Sequence, residues 1–258
     1  ELTSISAISE NDVWAVGYYT ENKVRRTLTL HWDGNKWEVV SSPNATLILD
    51  TTRNDGKLIS VPETRSTKIT YDNELKAVIA ISRDDVWAFG AVVRNQYGGP
   101  SLAMRWDGQV WEIRDDFPRL GAVEAATSDN AKGVWVMNNS TNADSELASA
   151  FIPNPSKQWG ISYIPKIEKA FINSVDALFS DDVWAVGAKW SDYPPDLTPS
   201  QIGARSMVLR WNGTRWSEIT GPNPSHIQEL TDVVVVDRGD IWAVGSSSDD
   251  EDISGQGM

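Results

Sequence analysis

An all-β fold is predicted by three features of these 258 residues. A Val-Trp-Ala-Val-Gly segment recurs along the chain, and a Trp-Asp-Gly-x-x-Trp segment follows it at a steady distance. Twelve of the thirteen tryptophans fall on one or the other; Trp190 alone does not. The strand-forming residues are β-branched and aromatic, and no stretch sustains a 3.6-residue apolar period. A unit of about 45–50 residues with these marks is the four-stranded antiparallel blade of a β-propeller. The sequence therefore predicts a β-propeller with about five blades in this chain, the fifth incomplete.

The first element reads Asp12-Val13-Trp14-Ala15-Val16-Gly17, then Asp85 to Gly90, Asp182 to Gly187 and Asp240 to Gly245, with a worn copy at Gly133-Val134-Trp135. Its tryptophans are Trp14, Trp87, Trp135, Trp184 and Trp242, so the steps are 73, 48, 49 and 58 residues. The second element brings Trp32 and Trp37, Trp106 and Trp111, Trp211 and Trp216, and a worn copy ending at Trp159. Within a unit, an apolar first strand (Leu2 to Ile8, Leu75 to Ile81, Ile172 to Phe179, Leu230 to Val236) precedes the Val-Trp-Ala-Val-Gly strand. The third strand ends on Trp32, Trp106 or Trp211, and the fourth starts at Trp37, Trp111, Trp159 or Trp216. Inner strands are apolar on both faces because neighbouring blades sandwich them. The expected organisation is a propeller over 1–245, with blades at about 1–43, 75–118, 122–164, 172–220 and a partial 230–245. An insertion occupies 44–74, and 246–258 is an acidic, Gly/Ser-containing tail.

The turn residues read as scaffold. Asp12, Asp85, Asp182 and Asp240 stand two before the first tryptophan, where a carboxylate closes a tight turn by accepting backbone N–H groups. Asp-Gly, or Asn212-Gly213 in the fourth unit, is a hairpin signal because both residues tolerate positive φ. The flanking tryptophans are expected to cover that turn.

These segments resemble the β-propeller repeats of many secreted or surface-exposed bacterial proteins, over residues 2–245 apart from two insertions. The Gly-x-x-Trp spacing is also similar to an Asp-box, with the Asp one position closer to the Gly. The double glycine of kelch repeats and the Gly-His opening of WD repeats are missing. The arginine triad and Tyr–Glu pair of Asp-box sialidases have no recognisable counterpart, so the resemblance implies a fold and does not carry sialidase activity over. It also implies a place outside the cytoplasm, extracellular, at the cell surface or periplasmic. The fifth unit holds only its first two strands, so a piece of a larger protein, or completion by strands from elsewhere, is expected. Residues 47–61, around Asn54-Asp55-Gly56, are one hairpin candidate for that role.

In such a fold the short first-to-second and third-to-fourth turns share one face, and the length changes here all fall on the other. Long loops on a rigid scaffold are where binding resides. On that face Tyr18, Tyr19, Arg25, Arg26, Arg94, Tyr97, Trp190, Asp192 and Tyr193 are the candidate binding residues. Exposed tyrosine and tryptophan anchor a protein partner or stack on a sugar ring.

Composition narrows the chemistry further. With 36 acidic and 23 basic residues the net charge is −13, which repels phosphate backbones and argues against nucleic acid. No apolar run is long enough for membrane insertion as a helix. The absence of cysteine removes thiol and thiolate-metal chemistry, and two histidines cannot build a multi-histidine centre, so neither cofactor nor metal is expected. The Asp249 to Asp252 run lacks alternating ligand spacing and reads as a solvated tail. A non-enzymatic binding module for a protein partner or surface assembly is the expected function. A lectin-like glycan site is the first alternative, and a carboxylate glycosidase or lyase using Asp192, Asp196, Glu63 or Glu74 is the second.

Overall fold

A computed structural model describes residues 1–47, 58–59, 71–93, 99–118, 120, 123–129, 133–138, 148–152, 159–164, 167, 170–190, 203–221, 223, 225 and 227–248. Among them are twenty strands and no helix. The fold is all-β, a β-propeller of four-stranded antiparallel blades. The chain divides into two compact units, Glu1–Ala126 with Ser156–Gly160, and Thr127–Pro155 with Ile161–Met258.

Blade one is β1 (Leu2–Ser9), β2 (Asp12–Glu21), β3 (Val24–Trp32) and β4 (Trp37–Val40), paired in chain order. A two-strand pair, β5 (Thr46–Leu47) with β6 (Leu58–Ile59), lies in the insertion and joins no blade. Blade two is β7 (Asp72–Ser82), β8 (Asp85–Val93), β9 (Ser101–Trp106) and β10 (Trp111–Ile113). Blade three is β11 (Val123–Ser128), β12 (Val134–Asn138), β13 (Ala148–Ile152) and β14 (Gly160–Tyr163). Blade four is β15 (Ala170–Phe179), β16 (Asp182–Trp190), β17 (Ala204–Trp211) and β18 (Trp216–Ile219). The fifth unit supplies β19 (Ile227–Asp237) and β20 (Asp240–Ser248), tied to blade four by one parallel bridge, Ala204 to Ile227.

The glycine that ends each Val-Trp-Ala-Val-Gly strand has a steric reason that the repeat alone does not disclose. Opposite it the first strand carries one extra residue, as register shifts at Leu2/Ser4, Leu75/Ala77, Ile172/Ser174 and Leu230/Asp232 record. Such a bulge bends the strand and drives a carbonyl toward its partner. A Cβ on Gly17, Gly90, Gly187 or Gly245 would stand 1.9–2.1 Å from the carbonyl oxygen of Glu1, Glu74, Phe171 or Glu229. The extra residue also links blades: Thr3 Oγ1 donates to Leu75 O at 2.8 Å, and Asn173 Nδ2 to Leu230 O at 2.8 Å.

The third-to-fourth turns are built as their sequence implies. Gly34, Gly108 and Gly213 have φ of +94°, +97° and +88°. Asp33 Oδ1 accepts the N–H groups of Asn35 and Lys36, and Asp107 and Asn212 repeat the pattern. The preceding tryptophan donates its indole N–H across to the first-to-second turn: Trp32 to Glu10 O, Trp106 to Arg83 O, Trp211 to Ser180 O, at 3.1–3.2 Å. The two short turns of a blade therefore brace one another.

Those backbone bonds hold the Asp33 and Asp107 carboxyls below the usual carboxylate range. A group whose folded pKa is depressed adds stability above its unfolded value and loses it as pH falls through the folded one. Thermal melting should thus drop with acidification below about pH 4. Asp107→Asn, which copies Asn212, should leave neutral-pH melting nearly unchanged and flatten the acid slope. A slope identical to the parent protein would contradict this.

Candidate interaction surfaces

The four aspartates two before the first tryptophan do not close turns as expected. Three of them pair with the histidine or arginine side chain near the end of the third strand. Asp12 meets His31 Nε2 at 2.8 Å, Asp85 accepts Arg105 Nε at 2.8 Å, and Asp182 accepts Arg210 Nε at 2.9 Å. Cross-strand pairing explains this, because Trp14 lies opposite His31, Trp87 opposite Arg105 and Trp184 opposite Arg210. The ring or guanidinium then covers the indole, at 4.6 Å for His31 on Trp14, 5.6 Å for Arg105 over Trp87 and 5.1 Å for Arg210 over Trp184. Asp182 and Asp240 also accept the indole N–H of Trp184 and Trp242. The result is a repeated clasp in which an aspartate holds an imidazole or guanidinium against an indole.

The nine candidate binding residues separate sharply. Arg94, Tyr97, Asp192 and Tyr193 lie outside the described residues, as do Glu63 and Asp196. Trp190 is no loop residue: its backbone is the last of β16 and pairs with Ala204. Tyr18, Tyr19, Arg25 and Arg26 are likewise strand residues, not loop residues, because β2 and β3 join in a tight hairpin. Asn22 (φ 49°) and Lys23 (φ 65°) form it, both at positive φ as a two-residue primed turn demands.

Tyr18 and Arg25 do meet, with the guanidinium 4.6 Å over the phenol ring. They meet as part of a closed network. The Tyr18 hydroxyl donates to Glu1 at 2.5 Å, the Arg25 N–H donates to Asp72 at 2.8 Å, and the Arg25 guanidinium pairs with Glu74. Glu1 is lowered and Tyr18 raised by their mutual hydrogen bond, and Glu74 raises Arg25. This ties blade one to blade two. Tyr19 remains exposed, and Arg26 faces Glu21 at 3.7 Å. Glu74 is buried with Arg25 and Lys76 as ion partners, which commits it to structure.

The open surface lies elsewhere, on the faces of the sheets. Opposite residues in a sheet share a face, so each blade has a Trp14-type face and a Trp32/Trp37-type face. In unit one Trp14, Val16 and Val40 of blade one pack on Val78, Ala88, Met104, Trp111, Trp106 and Ile113 of blade two. Trp14 sits on a tryptophan pair, 5.1 Å from Trp106 and 5.3 Å from Trp111, edge-on to the latter at 86°. In unit two Trp135 repeats this on Trp211 (5.6 Å) and Trp216 (6.0 Å, 90°). Trp87 uses Trp159 alone, at 5.4 Å and 85°.

Two tryptophans in these repeat positions are exposed. Trp37, equivalent to the buried Trp111 and Trp216, is 44% exposed, and Trp242, equivalent to Trp14 and Trp135 at 2%, is 65% exposed. Around Trp37, the exposed Leu2, Ile5 and Val39 leave blade one with an uncovered apolar face. A groove of about 630 Å³ runs across it, lined by Leu2, Thr3, Ser4, Ile5, Ala15, Leu30 and Trp37. Around Trp242, Val234, Val236 and Val244 are exposed on one face of β19–β20. The sequence marks all of these as repeat positions, and only the burial of their equivalents reveals that they are open.

No protein-family model matches the chain, and no curated protein does. Among solved structures, that of YCF48 bound to D1 peptide is similar over 96% of this chain and 75% of its own, at TM-score 0.42 and 9% identity. That of YCF48 from Cyanidioschyzon merolae is similar over 95% of this chain and 92% of its own, at TM-score 0.32 and 11% identity.

Proposed function

We propose that this chain is a non-enzymatic protein-binding module that works outside the cytoplasm and takes its partner on the uncovered face of blade one. The observation that carries the reading is that face: Leu2, Ile5, Trp37 and Val39 stand in water around an apolar groove. Contiguous exposed apolar surface of this kind marks a docking site, with a buried aromatic as its energetic centre. The non-enzymatic part is supported by the ion pairs that engage Asp85, Asp182 and Glu74 with Arg105, Arg210 and Arg25. The placement outside the cytoplasm is supported by the lack of cysteine and by the repeats the sequence resembles. The reading rests on this chain's own surface, not on the peptide held by YCF48.

A photo-crosslinking residue at Val39, in the source cells, tests it. The expected product is a polypeptide adduct that Trp37→Glu removes, beside a blank glycan array. Sugar binding without a protein adduct would replace the reading with a lectin. Cell fractionation tests the location, and recovery in the cytoplasm would remove that part.

A further inference from the structure

The turn between β17 and β18 carries Asn212-Gly213, the one Asn-Gly step in the sequence. The matching turns of blades one and two carry Asp33-Gly34 and Asp107-Gly108. All three are built alike: a glycine at positive φ follows a side-chain oxygen that accepts two backbone N–H groups. In reactivity they differ. An ionised carboxylate repels a nucleophile, and the backbone bonds that lower Asp33 and Asp107 keep those carboxyls ionised. A carboxamide has no such protection.

At Asn212 the same two bonds activate the side chain. Oδ1 accepts the N–H groups of Thr214 and Arg215, both at 3.0 Å, so the side chain folds back along its own chain, over the peptide that holds the Gly213 nitrogen. Two backbone donors on one carbonyl oxygen polarise its carbon and stabilise the oxyanion that forms when a nucleophile adds there. Gly213 supplies the nucleophile. It is exposed, no described residue accepts its N–H, and it has no side chain to shield the nitrogen. Asn212 is exposed too, and its amide nitrogen, the leaving group, donates to no described residue.

We propose that Asn212 is a self-modification site, which the turn converts by intramolecular deamidation. Gly213 N gives its proton to hydroxide and bonds to Asn212 Cγ. The Cγ–Nδ2 bond breaks, and Nδ2 leaves as ammonia with a proton taken from water. Water then opens the five-membered imide. Cleavage of the new N–Cγ bond leaves aspartate, and cleavage of the original peptide bond leaves isoaspartate, whose backbone is one carbon longer. Nothing is oxidised or reduced. The aspartate product is the residue that blades one and two already use, so the fold accepts it and gains one negative charge. The isoaspartate product displaces the acceptor around which the turn closes.

Peptide mapping of the full chain tests this. Trypsin cleavage after Arg210 and Arg215 releases residues 211–215 as Trp-Asn-Gly-Thr-Arg. The folded protein is incubated in mildly alkaline buffer and compared with an unincubated control. The peptide should become one mass unit heavier and elute as two products, matching synthetic Trp-Asp-Gly-Thr-Arg and its isoaspartyl isomer. It should convert before any other asparagine, and faster as pH rises, because the attacking nitrogen must lose its proton. Conversion in the fold should be at least as fast as in the guanidinium-denatured chain at the same pH, since the turn holds aligned what the denatured chain must find. Asn212→Asp should melt with the parent protein at neutral pH, and an early melt would contradict the fold's acceptance of that product. A folded chain whose 211–215 peptide keeps its mass overturns the proposal, and so does conversion that is faster in guanidinium than in the fold.

Discussion

Gly90→Ala is expected to destabilise the protein by about 3 kcal/mol, the upper range for forced overpacking, although alanine normally stabilises a strand relative to glycine. The new methyl would sit 1.9 Å from Glu74 O, a backbone atom that cannot swing aside. Relief would require undoing the Leu75/Ala77 bulge, which shifts every side chain beyond it to the opposite face. That would turn either Leu75 or Val78, which flank the bulge, out of the core they share with Trp14. The melting temperature should fall by roughly 6–12 °C. Gly221→Ala is the control, because no atom lies within 4 Å of its added Cβ, and it should be neutral. Equal melting of the two variants would contradict the steric role of the repeat glycine.

Trp135→Ala should cost about 3–5 kcal/mol, the range for deleting a large buried aromatic. Its indole stacks on Phe151 at 4.4 Å and stands edge-on to Trp216, so a cavity would open among rigid rings held by strand pairing. Trp216 is itself pinned by a 2.9 Å bond from its indole N–H to Ser149 and cannot collapse into the space. Trp242→Ala changes the same repeat position but removes a side chain that is 65% exposed. It should cost under about 0.5 kcal/mol. Chemical denaturation of both variants checks the contrast, and similar losses would mean that Trp242 is covered.

Much of the fold was legible because tryptophan and glycine punctuate it. The Val-Trp-Ala-Val-Gly run and the Trp-Asp-Gly-x-x-Trp hairpin place the second, third and fourth strands with little ambiguity. The bulges were not legible. One extra residue such as Thr3 or Asn173 leaves no mark, because a single added position in a strand needs no particular residue type. Nor was the role of Asp12, Asp85 and Asp182, since a turn-closing carboxylate and one that clasps a cross-strand cation stand at the same position. What separates them is the register that sets Trp14 beside His31. The candidate site was the least legible. Tyr18 and Arg25 looked free because loop lengths alone do not show that Glu74, about 50 residues away, pairs with the Arg25 guanidinium while Asp72 accepts its backbone N–H. Trp37 and Trp242 looked buried because their equivalents are. Openness belongs to a blade's neighbours, and no repeat motif records that.

The stacking of an indole from one blade on the tryptophan pair of the next underlies both the fold and the open faces. A double-mutant cycle between Trp14 and Trp111, 5.3 Å apart at 86°, measures it directly. With leucine at each position, a coupling of about 1 kcal/mol is expected, the range for an aromatic pair beyond its buried area. Strict additivity for Trp14 and Trp111 would contradict the stacking, and with it the account of how neighbouring blades are held face to face.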